Sequence, residues 1–381
     1  MSLLWRRRSE LHQDQINAIE KLSVDGRFLV MGPPGSGKTS ILLHRGQYLR
    51  LPPHQLTNIR LITFSRTLRE FIAIDGNDRF PANLIQTVKE FVEDVFTDYG
   101  ASPPEADDAL PLPEKNRILA GAALELVKAA TVKRVVFDAL LIDEIQDLSQ
   151  EEIQLFGSLS KRLMFVGDSS QKLYDVDGGI ATAEAIGCKK VDLKHHFRIS
   201  PQICKVADNI LRAGDYELAK YCHYTGPTPT DPVINGPLTP DAQIETLIPS
   251  LDIQLDTYND PRDRIGIVVG RKRNCLPLLE NLQTERRFAT NCKIFHSGVA
   301  DRSFPDSCKI CIVTPQSCKG LEFRALHWLL VDETPYLTRE KAYTIVTRAR
   351  TSLSLYYNNM LPRILQGAFA PTAGGLFDDD E

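Results

Sequence analysis

Short apolar runs and amphipathic stretches alternate along the first half of the chain. Residues 140–142 are all apolar, and such a run predicts a strand covered on both faces, as in a parallel sheet. Residues 58–65 and 162–168 predict further strands, whereas residues 67–74 and 84–97 predict helical segments. This alternation is typical of an α/β fold built on parallel sheets.

Three other stretches complete the pattern. Residues 100–115 are rich in proline and acidic side chains, which predicts an irregular surface loop. Residues 264–273 begin with an apolar run that predicts a strand in the second half of the chain. Residues 367–381 end in four acids, and we expect them to form a disordered acidic tail.

Two adjacent carboxylates, Asp143 and Glu144, directly follow the predicted strand at residues 140–142. Open α/β sheets bind ligands at the carboxyl ends of their strands. An acid in this position can hold Mg²⁺, and its neighbour can orient water. A solvated strand end is the alternative interpretation, and a phosphate-binding loop elsewhere in the chain would decide against it.

Residues 32–39 form such a loop, because they fit GxxxxGK[ST] between an apolar strand and an amphipathic helix. The two inner glycines let backbone N–H groups surround a phosphate at the helix N-terminus. The lysine neutralises the β- and γ-phosphates, and the threonine hydroxyl is a ligand for Mg²⁺. The residues predicted to bind nucleotide here are Gly32, Pro33, Pro34, Gly35, Ser36, Gly37, Lys38, Thr39 and Ser40.

With this loop present, the acids after the strand gain a specific role. Asp143 becomes the second Mg²⁺ ligand beside Thr39, and Glu144 becomes the base that positions attacking water. The sequence therefore predicts a nucleotide hydrolysis site.

Length and charge limit the remaining possibilities. A chain of 381 residues is long enough for two domains of ordinary size. The net charge of −4 means that any nucleic-acid surface must be a local groove. No apolar run reaches transmembrane length, and the first ten residues do not resemble a signal peptide. We therefore expect a cytoplasmic protein with no membrane partner.

All eight cysteines lie at or after Cys188, which favours a reducing compartment over a disulfide framework. Cys308 and Cys311 form the only CxxC, in a segment that reads as a strand. A strand would point the two thiols to opposite faces. Core cysteines are therefore favoured over a zinc site at this pair.

The acidic motif continues with Gln146 and Asp147, and the string "LLIDEIQD" together with "GPPGSGKT" resembles the UvrD/Rep-like branch of superfamily 1 helicases. Further strings that resemble motifs of this family follow in the family's order from about residue 11 to residue 350. They are "LHQDQINAI", "LITFSRT", "VGDSSQKLY", "LKHHFRIS", "VTPQSCKGLEF" and "YTIVTRAR".

The resemblance implies an α/β fold of two tandem RecA-like P-loop domains, at residues 1–190 and 191–366. Their parallel sheets would be flanked by helices, with ATP in the interdomain cleft. The cofactors implied are ATP and Mg²⁺, and the implied partner is single-stranded DNA, although RNA is not excluded.

The resemblance also implies roles for single residues at the nucleotide. Gln15 would read adenine, on which Phe197 would stack, and Glu322 would approach the ribose. Gln171 would sense the γ-phosphate, and Gln146 would link the nucleotide site to the DNA side. The residues with implied or predicted catalytic roles are Lys38, Glu144, Gln171, Arg198 and Arg348, the last two as arginine fingers from the second domain.

The nucleic-acid contacts that the resemblance implies lie in three motifs. They are Thr63, Phe64, Thr87, Thr314 and Ser317.

Several positions depart from the family pattern. Val176 and Asp177 stand where the family has an aromatic-plus-arginine pair, and Ser40 and His196 replace an arginine and an asparagine. Only 55 residues separate Thr87 from Asp143, so the usual accessory insertions are missing. ATP hydrolysis is therefore better supported than processive unwinding.

We interpret the chain as a minimal motor: an ATPase stimulated by single-stranded DNA that translocates or unwinds, with 3′-to-5′ direction favoured. One alternative is an ATP-controlled DNA-binding switch, or a motor subunit that works with a protein partner such as a nuclease. A P-loop small-molecule kinase is a third class, but it leaves "DEIQD", "GLEF" and "VTRAR" unexplained.

Overall fold

The computed structural model divides into two compact α/β units, Met1–His195 and His196–Glu381. Each unit contains a six-stranded sheet whose neighbouring strands pair in parallel and whose faces are covered by helices. The chain therefore has two tandem domains of the RecA-like α/β type. The residues that the structure describes are 7–63, 69, 80–105, 107, 110–131, 136–171, 178–212, 216–296, 299 and 308–369.

The sheet of the first unit has the strand order β3-β2-β4-β5-β1-β6. Its strands are β1 (Arg27–Met31), β2 (Ile59–Thr63), β3 (Ile85–Thr87), β4 (Ala139–Ile142), β5 (Leu163–Gly167) and β6 (Lys189–Asp192). The α-helices are α1 (Gln13–Ile16), α2 (Lys38–Arg50), α3 (Val88–Asp98), α4 (Leu112–Ala129), α5 (Gln150–Leu159) and α6 (Gly179–Ala185).

The sheet of the second unit has the strand order β7-β12-β11-β8-β10-β9. Its strands are β7 (Val233–Asn235), β8 (Ile265–Val269), β9 (Cys292–Phe295), β10 (Ile310–Val313), β11 (Phe323–Leu329) and β12 (Ala349–Tyr356). The α-helices are α7 (Pro201–Leu211), α8 (Pro240–Thr257), α9 (Cys275–Thr284), α10 (Arg339–Val346) and α11 (Arg363–Gln366).

The central strands β4 and β5 of the first sheet are apolar throughout, because helices cover both faces of that sheet. Every residue of β4 and β5 is buried. In β1, Leu29 and Met31 belong to one apolar cluster, and Phe28 and Val30 belong to another. Since successive side chains of a strand alternate between its faces, the first sheet has a core on each side.

Helix starts in the first unit carry side-chain caps. Thr87 accepts a hydrogen bond from the backbone N–H of Glu90, and the Glu90 carboxylate accepts one from the backbone N–H of Thr87. Ser149 and Glu152 form the same reciprocal arrangement at the start of α5. These caps fix where α3 and α5 begin, directly after strand ends.

Glu152 is a buried carboxylate, and this gives a testable pH dependence. Burial raises its pKa to about 7, even though the backbone N–H and the hydroxyl of Ser149 donate hydrogen bonds to it. Because the folded pKa lies above the unfolded one, the stabilisation is complete below the unfolded pKa and is lost as pH rises towards 7. We expect Glu152→Gln to remove this loss, on the order of 3 kcal/mol, in urea unfolding between pH 5 and 8.

The control is Glu125→Gln, on an exposed glutamate of α4. It should leave the pH profile of the unfolding free energy unchanged. Parallel profiles for wild type and Glu152→Gln would contradict the burial argument.

Among the predicted elements, the strands at 58–65, 140–142, 162–168 and 264–273 are confirmed as β2, β4, β5 and β8. Strand β4 begins one residue earlier than predicted, and β8 already ends at Val269. The predicted helix at 84–97 was wrong at its start, because residues 85–87 form β3 and the helix begins at Val88.

The end of the predicted loop at 100–115 was also wrong. Helix α4 already begins at Leu112, with a proline in its first turn, where the missing N–H costs nothing. Of the helical segment predicted at 67–74, the structure describes only residue 69, which is helical.

The prediction that the thiols of Cys308 and Cys311 point to opposite faces of a strand was wrong. Strand β10 begins only at Ile310, so Cys308 precedes it, and both cysteines belong to one apolar cluster. Both are buried, which agrees with core cysteines.

The boundary between the units falls after His195, whereas the sequence placed it after residue 190. Strand β6 pairs with β1, which keeps residues 189–192 in the first unit. Of the predicted tail at 367–381, residues 367–369 are described, and Ala368 is buried and accepts a hydrogen bond from Asn209. Residues 370–381 lie outside the described part. Within the described residues, no helix is both long and apolar enough to cross a membrane.

Candidate nucleotide site

A glycine-rich loop, residues 32–37, connects β1 to the first turn of α2. Gly35 and Gly37 have φ angles of 80° and 85°, in the left-handed region that glycine adopts at little cost. The first N–H groups of α2 lack partners within the helix, so the loop and helix start present donors to an anion.

Gly37 is required for a second reason, which gives a testable prediction. A Cβ at this position would lie 2.5 Å from Nε2 of Gln15, whose amide donates to the carbonyl of Ser36 at 2.8 Å. We expect Gly37→Ala to cost about 1–2 kcal/mol for the backbone angle and about 1 kcal/mol more for the disturbed hydrogen bond, measured by urea unfolding.

Gly187→Ala is the matched control. Gly187 has a φ of +88°, and a Cβ there would meet nothing within 4 Å. It should therefore show the backbone cost alone. Equal losses of stability in the two variants would show that Gln15 does not constrain the loop.

Lys38 lies over the loop that precedes it. Its Nζ donates hydrogen bonds to the carbonyls of Gly32 at 2.8 Å and Pro33 at 3.0 Å. These bonds hold a positive charge against the glycine-rich loop. An ammonium in this position is suited to neutralise a phosphate bound by the same loop.

Thr39 and Asp143 are brought together from positions far apart in the chain. The Thr39 hydroxyl donates to Oδ2 of Asp143 at 2.6 Å. Asp143 follows β4 and is only 2% exposed, and burial together with the neighbouring Glu144 raises its pKa. A buried carboxylate beside a hydroxyl is an oxygen donor set that Mg²⁺ prefers, and a cation would offset the cost of the buried charge. The residues present therefore fit the ion.

Glu144 has a left-handed backbone, with φ of 58°. Such a conformation in a residue other than glycine stores strain that the surroundings must hold. Gln146 supplies the constraint: its Nε2 donates to the Glu144 carboxylate, and its Oε1 accepts from the backbone N–H of Asp168 at 3.0 Å. Gly167 leaves room for this side chain, since a Cβ there would lie 2.5 Å from Oε1 of Gln146.

The glutamine amide thus joins the carboxyl ends of β4 and β5. Gln171 lies shortly after β5, is 3% exposed, and its backbone N–H donates to the carbonyl of Asp168 at 3.2 Å. Val176 and Asp177, which depart from the family pattern, lie outside the described residues.

Gln15 is buried against the glycine-rich loop. Its Oε1 accepts from the backbone N–H of His12 at 2.9 Å, and its Nε2 donates to Ser36. Beside it, Asp14 lies 3.1 Å from Nδ1 of His195 at the end of the first unit. The amide of Gln15 is therefore engaged by the protein itself, and its predicted role in reading adenine stays a prediction.

In the second unit the structure brings two of the predicted residues, Arg198 and Arg348, close to a third, Glu322. The Arg198 guanidinium forms an ion pair with Glu322 and also donates to the carbonyl of Thr347 at 3.3 Å. Desolvation opposes ionisation of Glu322, but Arg198, Arg350 and Arg348 together lower its pKa.

Arg348 is 4% exposed, and its Nε donates to the carbonyl of Thr344 at 3.0 Å. Phe197, next to Arg198, is half-buried and stacks on the ring of His223, with centroids 5.7 Å apart. The second unit therefore gathers positive charge beside an aromatic face.

Those residues predicted to contact nucleic acid that the structure describes lie at or just after the carboxyl ends of strands, as expected for a parallel sheet. Thr63 and Thr87 are register partners at the ends of β2 and β3, and both are buried. Thr314 follows β10, and its hydroxyl donates to the Ser317 hydroxyl at 3.1 Å. Phe64 lies outside the described residues. The contacts themselves stay predictions.

Sequence reasoning missed two residues at these sites. Asp168 is fully buried beside Gln146, and its Oδ1 accepts from the backbone N–H of Ser170 at 2.9 Å. Arg350 belongs to the charge cluster around Glu322, and burial lowers its pKa. The signal for both was present, since Asp168 ends the apolar run of β5 and Arg350 lies two residues after Arg348.

Comparisons with known proteins agree with the first unit's geometry. Residues 15–177 match a family model described as an AAA domain. The matched range contains the glycine-rich loop and both acids after β4. No curated protein matches the chain.

Two solved structures are similar at low identity. The C-terminal domain of a possible DNA helicase from Lactobacillus plantarum WCFS1 is 20% identical, with a TM-score of 0.33, over 45% of this chain and 93% of that one. The PRRSV helicase is 14% identical, with a TM-score of 0.43, over 90% of this chain. The match covers 54% of the PRRSV helicase, so the chain spans about half of its length.

Proposed function

We propose that the protein is an ATP hydrolase of the superfamily 1 helicase type, which acts on single-stranded DNA. The observation that carries the proposal is the contact of Thr39 with Asp143 at 2.6 Å, with Glu144 as the next residue, beside the glycine-rich loop. The match of residues 15–177 to an AAA domain supports the nucleotide part. The ordered motifs of the sequence support the helicase part.

In this proposal each group of the first unit has one task. Lys38 binds the β- and γ-phosphates, and Glu144, held by Gln146, accepts a proton from the attacking water. Thr39 and Asp143 would hold Mg²⁺, which neutralises phosphate charge when bound. Gln171 senses the γ-phosphate, as the family resemblance implies.

Arg198 and Arg348 stabilise the charge that grows on the transferring phosphoryl group. Within the second unit, Glu322 neutralises Arg198 through their ion pair.

A second candidate function is an ATP-controlled binding switch, with or without a protein partner. Two of the predicted DNA contacts favour the switch. The Thr87 hydroxyl already accepts the hydrogen bond that caps α3, and the Thr63 side chain is fully buried. Weak binding of a DNA strand is compatible with binding and release but not with translocation over long distances.

The deciding experiment measures ATPase rate with and without single-stranded DNA and RNA, together with strand displacement from duplexes. We expect single-stranded DNA to raise the rate, 3′-tailed substrates to be preferred, and long duplexes to be unwound weakly. Binding should weaken steeply with salt, because phosphate contacts supply most of the affinity. An ATPase rate indifferent to any nucleic acid would favour the switch, and absence of ATP hydrolysis would contradict both functions.

A further inference from the structure

Three soft donor atoms converge at one point in the second unit. Nε2 of His196 and the Sγ atoms of Cys204 and Cys222 all lie within 4.8 Å of one another. The distance from Nε2 of His196 to Sγ of Cys204 is 3.6 Å. None of these three side chains has a task in the proposed reaction.

Three separate chain segments supply these donors, and backbone pairing holds them in place. Cys204 lies in the first turn of α7. His196 and Cys222 form an isolated parallel bridge, in which the backbone N–H of His196 donates to Tyr221 at 3.2 Å and that of His223 donates to His196 at 2.8 Å. The ligand set is therefore fixed by the fold before any ligand arrives.

The three donor side chains differ in how deeply they are buried. His196 and Cys204 are fully buried, whereas Cys222 is half-buried. The half-buried thiol leaves one side of the cluster accessible to a small ion. The other thiol and the imidazole face the protein interior.

The spacing fits tetrahedral zinc. Zinc–sulfur bonds of about 2.3 Å and zinc–nitrogen bonds of about 2.0 Å at tetrahedral angles put sulfur and nitrogen about 3.5 Å apart. The observed 3.6 Å between Cys204 and His196 matches this edge of a tetrahedron. Zinc with two thiolates and one imidazole is a common protein ligand set.

We propose that His196, Cys204 and Cys222 form a Zn²⁺ site, with a water molecule or hydroxide in the fourth position. Binding forms two zinc–sulfur bonds and one zinc–nitrogen bond and releases the two thiol protons to solvent. The thiols give up hydrogen bonds to the carbonyl of Ile199, and the imidazole gives up its contact with the carbonyl of Leu218. Nε2 then offers its lone pair, and the remaining ring proton is on Nδ1.

The position of the site gives it a consequence for the rest of the unit. The ligand His196 directly precedes Phe197 and Arg198, which carry the proposed stacking and arginine-finger roles. Zinc would tie this segment to α7 and to the strand-like segment at Cys222. The ion therefore acts as a structural clamp on the arginine-bearing segment, and it takes no part in catalysis.

The test uses the full-length protein, stripped of metal with a chelator under reducing conditions and titrated with Co²⁺ as a spectroscopic probe. We expect one equivalent to bind, with the visible bands of tetrahedral cobalt and a near-ultraviolet thiolate charge-transfer band. Added Zn²⁺ should displace the cobalt and protect two thiols from alkylation, identified by peptide mapping as Cys204 and Cys222.

Cys222→Ser should lower the affinity for Co²⁺ by about 100-fold or more, since it removes a ligand at a half-buried position that tolerates serine. Cys188→Ser, which removes a buried cysteine from the first unit, is the matched control and should bind like wild type. Cobalt spectra without tetrahedral bands, or equal affinity in Cys222→Ser and wild type, would overturn the proposal. Recovery of a Cys204–Cys222 disulfide and no bound metal from protein purified without reductant would also overturn it.

Discussion

Glu144→Gln should bind ATP as tightly as wild type and lose about 10²–10⁴-fold in hydrolysis rate. Glutamine keeps the shape of the side chain but cannot accept a proton from water. Its carbonyl oxygen can still accept the hydrogen bond from Gln146 that holds this residue in its left-handed conformation. The local structure should therefore persist, and the loss should appear in kcat measured with saturating ATP.

Lys38→Ala should instead weaken the binding of nucleotide at the same site. It removes the ammonium that lies over the carbonyls of Gly32 and Pro33, so nucleotide affinity itself should fall. Glu125→Gln, on an exposed glutamate of α4, should change neither binding nor rate. Equal nucleotide affinity for wild type and Lys38→Ala would exclude the phosphate role of the loop.

Arg198→Ala and Arg348→Ala should each lower the DNA-stimulated kcat by about 10³–10⁵-fold with little change in ATP affinity. This corresponds to a loss on the order of 4–7 kcal/mol of transition-state stabilisation. The reason is that a guanidinium finger acts on charge that develops only during phosphoryl transfer. Both arginines share the Glu322 cluster, so the double variant should lose less than the sum of the two.

Arg287→Ala is the matched control in the same unit. Arg287 pairs with Asp252 and Asp256 at the surface, so its loss should leave the stimulated rate unchanged. Arg198→Lys should recover little, because lysine lacks the planar fork that reaches Glu322 and Thr347 together. Hydrolysis at the wild-type stimulated rate in either alanine variant would make that arginine a structural residue.

Local chemistry was readable from the sequence wherever a few consecutive residues decide it. The glycines of the loop and the lysine after them are such a case, because glycines at this spacing let the backbone adopt left-handed angles. The contact of Thr39 with Asp143 was also predictable, although the two residues lie 104 positions apart in the chain. The carboxyl ends of parallel strands share one edge of a sheet, so two strand-end motifs must lie near each other.

The boundaries of helices and strands were harder to predict from the sequence. Strand β3 has only three residues, too few to show a period of two, and a helix follows it at once. The proline-rich segment before α4 appeared to be loop throughout, because proline signals both a break and a first helical turn. In both cases competing local signals were equal in strength, and packing against the sheet decided between them.

The sequence by itself determined the class of fold, the phosphate-binding loop and the acids that face it, because these depend on local spacing and on the direction of strands. Only the tertiary structure brought His196, Cys204 and Cys222 together, and only it showed that Arg198 and Arg350 converge with Arg348 on Glu322. Such clusters join side chains from separate segments of the chain, and no regular spacing in the sequence marks which residues will meet. Their geometry is set by how helices and loops pack on the sheet, which no short stretch of residues encodes.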